Sequence, residues 1–242
     1  MTKSLLLNLK APLQAWGADS RYRYRQTHHV PTKSGILGLI SAAEGRRRSD
    51  PIEDLTRLEF GVRVEQQGTL IRDYQTAIDW RKHAQNPRGR DSMPRLSERQ
   101  YLSDAHFLAA VSGTEDILHG IHEALLNPKY PLYLGRRSCP AGPDLVLGIR
   151  DGDVETALRD TPWSAAEWYR KTRPTVVYLP IYRDARQGEL VEERVRDIPR
   201  SYDPQHRDYD WRQVYAAEPV KIDNPGGRHY ADDPFWEAVM GL

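Results

Sequence analysis

Hydrophobic periodicity changes twice, and in the same order, along this chain. That repeated change narrows its possible folds more than any single motif does. Leu5, Leu6, Leu7 and Leu9 make a short apolar run ending at Ala11-Pro12, which predicts a buried strand over Lys3 to Lys10. Pro31-Thr32-Lys33-Ser34-Gly35 then leads into Ile36, Leu37, Leu39, Ile40 and Ala43, a helical stripe stopping near Gly45. It predicts a helix over Thr32 to Glu44, capped by Thr32 or Ser34. Leu58, Phe60, Val62 and Val64 alternate with polar residues, as in a strand with one buried face. The second round begins with Tyr101 to Ser112, where Ala105, Phe107, Ala109 and Val111 alternate. A helix over Glu115 to Asn127 follows, capped by Thr114 and stopped by Pro128, and then a short strand over Leu132 to Gly135.

The order is strand, helix, strand, insertion, strand, helix, strand. It predicts an α+β chain with a ferredoxin-like, RRM-like βαββαβ domain. The insertion lies in its β2-β3 region. Gln66-Gln67-Gly68 reads as a turn and Thr69 to Ile78 as a returning arm, whereas Asp79 to Gln100 is basic, rich in breakers and poor in apolar residues. It is expected as an excursion from a hairpin. Residues 1–150 would form this domain, with the insertion at about 79–100, and residues 151–242 a small, mostly β C-terminal lobe. Within that lobe, Asp153 to Arg159 reads as a short helix and Thr175 to Tyr182 as a strand.

No apolar stretch approaches the roughly 18 residues of a membrane-crossing helix, and Met1 to Leu13 lacks the features of a signal peptide. The single cysteine, Cys139, leaves no intramolecular disulfide and no cysteine-based zinc cluster. A cytoplasmic setting is expected. The net charge of +1 averages unlike parts: 22 basic against 16 acidic residues up to Arg150, and 13 against 18 beyond it. Basic residues gather between Arg21 and Arg48 and between Arg81 and Arg99, the footprint of a polyanion partner, although charge runs are more often solvated faces. Arginine outnumbers lysine 28 to 7, and the aromatics are 13 Tyr and 6 Trp against 3 Phe. Guanidinium forks and flat rings with polar edges suit RNA. Genomic codon bias explains the arginine total equally well.

Five segments carry a more specific signal: Ala11-Pro12-Leu13-Gln14-Ala15-Trp16-Gly17, Pro31 to Gly38, Arg72-Asp73-Tyr74-Gln75-Thr76, Tyr101-Leu102-Ser103-Asp104-Ala105 and Tyr133-Leu134-Gly135-Arg136-Arg137-Ser138-Cys139-Pro140. In this order, over about Met1 to Arg150, they resemble the CasD family of type I-E Cascade subunits, within the RAMP superfamily of CRISPR-associated proteins. The resemblance implies a non-catalytic subunit that grips the repeat-derived 5′ handle of a CRISPR RNA. It would cap the backbone of CasC subunits and adjoin the Cascade large subunit, touching target DNA only indirectly because guide pairing reads the target. No membrane partner and no cofactor are implied.

Candidate RNA-binding residues follow. At Gly135 the backbone can approach a phosphate, Arg136 and Arg137 offer two forks, and Ser138 offers a hydroxyl; a surface salt-bridge pair is the plainer alternative for the arginines. Lys33 and Ser34 stand at a helix N-terminus, which attracts anions. No glycine precedes Lys33 at the positions a Walker A loop needs, so nucleotide hydrolysis is unsupported. Trp16 is a base-stacking residue or a core residue in equal measure. Arg21, Arg23 and Arg25 come from the basic loop Trp16 to Val30, and Arg72 and Tyr74 from the third segment. The excursion matches the position of the family's thumb, which lies against the neighbouring backbone subunit and kinks the RNA. Its phosphate contacts would be Arg81, Lys82, Arg88, Arg90 and Arg95, with Met93 and Leu96 as partner contacts. The rival function is a metal-independent endoribonuclease processing repeat RNA, assembled from His28, His29, Lys33 and Tyr22 or Tyr24. His119 and His122 share a helix face with no third metal ligand evident, and none is expected.

Overall fold

The computed structural model describes residues 2–17, 24–90, 93–203 and 205–228. β1 (Lys3–Lys10) is followed by four two-residue strands, β2 (Leu13–Gln14), β3 (Trp16–Gly17), β4 (Tyr24–Arg25) and β5 (Thr27–His28). Then come α1 (Lys33–Glu44), α2 (Glu53–Thr56), β6 (Glu59–Gln66), β7 (Thr69–Ala77), α3 (Trp80–Gln85), β8 (Arg95–Ser103) and β9 (His106–Gly113). The chain continues through α4 (Glu115–Leu126), β10 (Val146–Asp151), α5 (Val154–Asp160), α6 (Glu167–Lys171), β11 (Val176–Asp184), β12 (Glu193–Ser201) and β13 (Asp208–Asp223).

A seven-stranded sheet in the order β10-β1-β9-β6-β11-β13-β12, antiparallel at every pairing, forms the frame. β1 and β6 run in one direction with β9 between them, and β9 and β10 run in the other with β1 between them. Two strand–helix–strand units, β1-α1-β6 and β9-α4-β10, therefore interleave. The leucine run of β1 is unbroken because both of its faces are covered. Leu5, Leu7 and Leu9 pack with Ile36, Leu37 and Ile40 of α1 and Leu118 and Ile121 of α4, while Leu6 packs with Val154 and Leu158 of α5 on the opposite face. α1 begins where Thr32 Oγ1 accepts from the Gly35 amide, and it stops at Gly45, whose φ of 81° is left-handed.

Three sequence expectations change. Tyr101 to Ser112 is two strands rather than one, because Asp104 takes a left-handed φ of 53° and sends the chain from one sheet into another. Leu132 to Gly135 is a loop held by a single bridge between Tyr133 and Pro140, and β10 takes the sheet position beside β1. The excursion belongs to a longer ribbon that starts at Thr69: β7 and β8 pair antiparallel from Thr69↔Ser103 to Ala77↔Arg95, and α3 near its tip is capped by Asp79. Residues beyond 150 do supply antiparallel strands. They extend the main sheet through β6, with Ile181↔Arg63, Tyr182↔Val62 and Arg183↔Gly61 in register.

Candidate nucleic-acid interface

The loop Leu132 to Ala141 closes on itself through Leu134 N to Cys139 O at 2.7 Å and Ala141 N to Leu132 O at 3.0 Å. It is pinned to the start of the chain by Ala15 N to Leu134 O at 3.2 Å. Gly135 has φ 86°, and a Cβ placed there would stand 1.7 Å from the Ala15 carbonyl oxygen. Its close approach is thus to the protein's own backbone, a correction to the phosphate approach expected of it. Cys139 packs beneath the loop, where burial pushes its thiol pKa up.

The two adjacent arginines have different surroundings. The Arg136 guanidinium donates to three backbone carbonyls, Gln100 O at 2.8 Å, Arg25 O at 2.9 Å and Gln26 O at 3.2 Å, and lies 4.8 Å over the Tyr101 ring. Its fork ties the loop to β8 and to the basic strand β4, so the phosphate-binding fork expected of it is already committed. Arg137 and Ser138 are exposed. The Ser138 hydroxyl meets the Tyr101 hydroxyl at 3.2 Å.

β4 joins β8 in parallel, with Arg25 opposite Arg99, and β7 flanks the other edge of β8. Arg72 is exposed and pairs with Glu98 at 2.9 Å; Tyr74 is exposed beside it. Further along the ribbon, Arg81, Lys82, Arg88, Arg90 and Arg95 are all exposed, as are Met93 and Leu96. The structure therefore brings Arg25, the Gly135 loop and the ribbon cations onto one continuous piece of the molecule. Arg21 and Arg23 lie outside the described residues, as does Tyr22.

Two expected contacts belong elsewhere. Trp16 is 0% exposed, its indole N–H donates to Gln14 Oε1 at 3.1 Å, and its ring packs against Gly35. It is a core residue, and the base-stacking alternative falls. Lys33 is 4% exposed, with Nζ 2.8 Å from Asp184 Oδ2. Its amide, at the α1 N-terminus, donates to Asp197 Oδ2 at 2.7 Å. Arg212 bridges the two carboxylates, 2.7 Å from Asp197 and 3.1 Å from Asp184. The Ser34 carbonyl accepts from the Tyr202 hydroxyl at 2.6 Å, and the Ser34 hydroxyl faces Thr32 Oγ1. An internal carboxylate fills the anion position of this helix, so neither Lys33 nor Ser34 presents a phosphate site. The same ion pair withdraws Lys33 from the His28-His29 grouping that a ribonuclease reading would need.

Arg99 and Tyr101, at the junction of loop and ribbon, are not among the candidate RNA-binding residues, although Tyr101 opens the fourth motif segment. Arg99 was visible only as one more charge in a run. What distinguishes it is its register opposite Arg25, which periodicity cannot give.

Residues 4–215 match the family model for CRISPR-associated protein (Cas_Cas5). The chain belongs to that family. This Cas_Cas5 chain is 34% identical over 173 residues to the CRISPR system Cascade subunit CasD of Escherichia coli (strain K12), covering 65% of this chain and 76% of the relative. Among solved structures it superposes on a chain of a CRISPR RNA-guided surveillance complex with a TM-score of 0.75 at 27% identity, covering 98% of both chains. A second structure, described as a Cas protein, gives a TM-score of 0.64 at 31% identity, over 92% of this chain and 99% of the other. The curled, mostly antiparallel α/β architecture is that of a Cas protein.

Proposed function

We propose that this Cas_Cas5 chain is a subunit of a Cascade-type, CRISPR RNA-guided surveillance complex, in defence against foreign DNA. Its task there is to bind the 5′ handle of the CRISPR RNA and to cap the CasC backbone beside the large subunit, without cutting RNA itself. Target DNA is engaged only through the guide. The observation that carries this reading is the structural match over nearly the whole chain to a component of a surveillance complex, joined to the CasD relative. The local chemistry supports it: exposed cations on the Gly135 loop and along the ribbon suit a polyanion.

In this reading β1-α1-β6 and β9-α4-β10 are the halves of a ferredoxin-like domain over residues 1–150. The β7–β8 ribbon is the thumb inserted between the second and third of its strands, and residues 151–242 are a second unit, of which β11, β12 and β13 share its sheet. Arg25, Arg72, Tyr74, Arg81, Lys82, Arg88, Arg90, Arg95, Arg137 and Ser138 face RNA, and Met93 and Leu96 face the neighbouring backbone subunit. A cytoplasmic setting belongs to the same proposal; among the described residues no helix is long and apolar enough to cross a membrane.

The test is ultraviolet crosslinking of the assembled complex followed by peptide mapping. RNA adducts on residues 72–95 or 133–138 are expected. Their absence, or discrete cleavage of repeat RNA by the purified chain in EDTA, would overturn the assignment.

A further inference from the structure

Arg25 and Arg99 are register partners on the parallel strands β4 and β8, so their side chains leave the same face of the ribbon. Tyr101, two residues further along β8, leaves that face too, and Arg136 covers its ring. Like charges opposed on neighbouring strands destabilise a sheet unless something neutralises them. Among the described residues none of Arg25, Arg99 and Arg136 enters an ion pair with a carboxylate. By register the nearest carboxylate is Asp73, opposite Arg99 on β7; it accepts from Gln75, which leaves its charge in place, so it offsets one of the three cations.

Two further observations point the same way. Among the described residues, Arg99 Nε is buried with no hydrogen-bond partner. Burial, opposed by the Tyr101 hydroxyl and reinforced by the charge of Arg99, lowers the Arg136 pKa. Burial also works to raise the Tyr101 phenol pKa, yet Ser138, Arg99 and Arg136 together bring it below its ordinary 10.0. The cluster is a half-buried positive site, three guanidiniums against the one carboxylate of Asp73, with the hydroxyls of Tyr101 and Ser138 at its edge.

We propose that Arg25, Arg99, Tyr101 and Ser138 form a subsite for one phosphodiester, with Arg99 as its central cation and Arg136 as the residue that positions the strand and ring around it. This rests on the RNA-binding reading above and deepens it: one specific backbone phosphate completes a charge cluster that the fold leaves unbalanced. A phosphodiester fits because it brings a single negative charge and two free oxygens, one for a guanidinium fork and one for the hydroxyl pair.

The experiment compares the full wild-type chain with Arg99→Gln, Arg99→Lys and Ser138→Ala, using inorganic phosphate and a single-stranded RNA of handle length as separate probes. Inorganic phosphate is expected to raise the melting temperature of the wild type and of Arg99→Lys, and to do so far less for Arg99→Gln. In RNA binding, Arg99→Gln should flatten the slope of log affinity against log salt by about 0.7, the loss of one phosphate contact on a single strand, with Arg99→Lys restoring it. A neutral methylphosphonate at one position of the RNA should reproduce that flattening in the wild type and add nothing in Arg99→Gln. A merely structural role for Arg99 would lower melting temperature without moving the slope, and that result overturns the subsite. Phosphate protection without RNA binding would keep the subsite and overturn the RNA reading. RNA binding with an unchanged slope in Arg99→Gln would do the reverse.

Discussion

Arg136 and Arg137 are neighbours of the same residue type in the same loop, and they should behave as different kinds of residue. Arg136→Ala removes one bond to the half-buried Gln100 carbonyl and two to the carbonyls of exposed Arg25 and Gln26. A hydrogen bond from a charged group contributes about 1.5–3 kcal/mol when sheltered, and the two at the exposed edge are replaced by water at little cost. Loss of the stack on Tyr101 adds about 0.5–1 kcal/mol. The sum is about 3 kcal/mol, a fall in melting temperature of about 6–12 °C for a chain of this size. Arg137 is exposed, and Arg137→Ala should change stability by less than about 0.5 kcal/mol. Its effect should appear in RNA binding, where the salt slope flattens by about 0.7. Differential scanning fluorimetry and filter binding at several salt concentrations measure both quantities on the same samples. An Arg136→Ala variant that melts with the wild type, or an Arg137→Ala variant with an unaltered salt slope, would refute the division of labour.

Asp197→Ala strips the carboxylate shared by the Lys33 amide and Arg212, leaving a buried guanidinium short of partners. Chemical denaturation should show a loss of about 3–5 kcal/mol, and a loss below about 1 kcal/mol would mean the cluster does not hold the α1 N-terminus. Gly135→Ala must relieve a Cβ at 1.7 Å from the Ala15 oxygen in addition to the strain at φ 86°. The left-handed conformation alone costs about 1–2 kcal/mol, so melting temperature and RNA affinity should fall together, and a wild-type melting curve would contradict the geometry. His106 is buried against Asn8 and Ser164, with Glu65, Arg63, Lys10 and Asp144 acting on it, and burial lowers its pKa from 6.5. The unfolded chain takes up a proton there that the folded chain refuses. Stability is therefore intact above about pH 6.5 and falls as the pH drops below it. Urea midpoints at pH 7.5 and 5.5 should differ less for His106→Gln than for the wild type; equal differences would rule out this residue as a source.

Where apolar spacing and chain direction agree, the fold was legible. β1 and α1 fall where the leucine run and the Thr32 cap put them, because both depend on short-range patterning. Tyr101 to Ser112 misled because the alternation continues in phase through Asp104 while the backbone turns from one sheet to the next. Parity records which residues share a face and carries no information about which sheet they join; in β9 both faces are in fact buried. The strand over Leu132 to Gly135 failed for a different reason: its apolar residues anchor a loop to Ala15, a partner more than a hundred positions away. At the interface, residue type identified Arg137 and the ribbon cations. It also nominated Lys33 and Trp16, whose partners, Asp184 and Gly35, are tertiary. The pairing of Arg25 with Arg99 is equally tertiary, which is why the most unbalanced charge in the site had no local signature.

The turn at Asp104 has a mechanical consequence. β8 ends there and β9 begins, and β9 lies between β1 and β6 in the main sheet. The pivot is braced on both sides, since Asp104 N donates to Pro12 O at 3.0 Å and Gln66 donates to Asp104 O at 2.6 Å. A load on the ribbon tip is thus delivered along covalent backbone to the middle of the core, without passing through a slack connector. The ribbon works as a boom rooted in its foundation, and a partner that grips its end takes hold of the whole sheet.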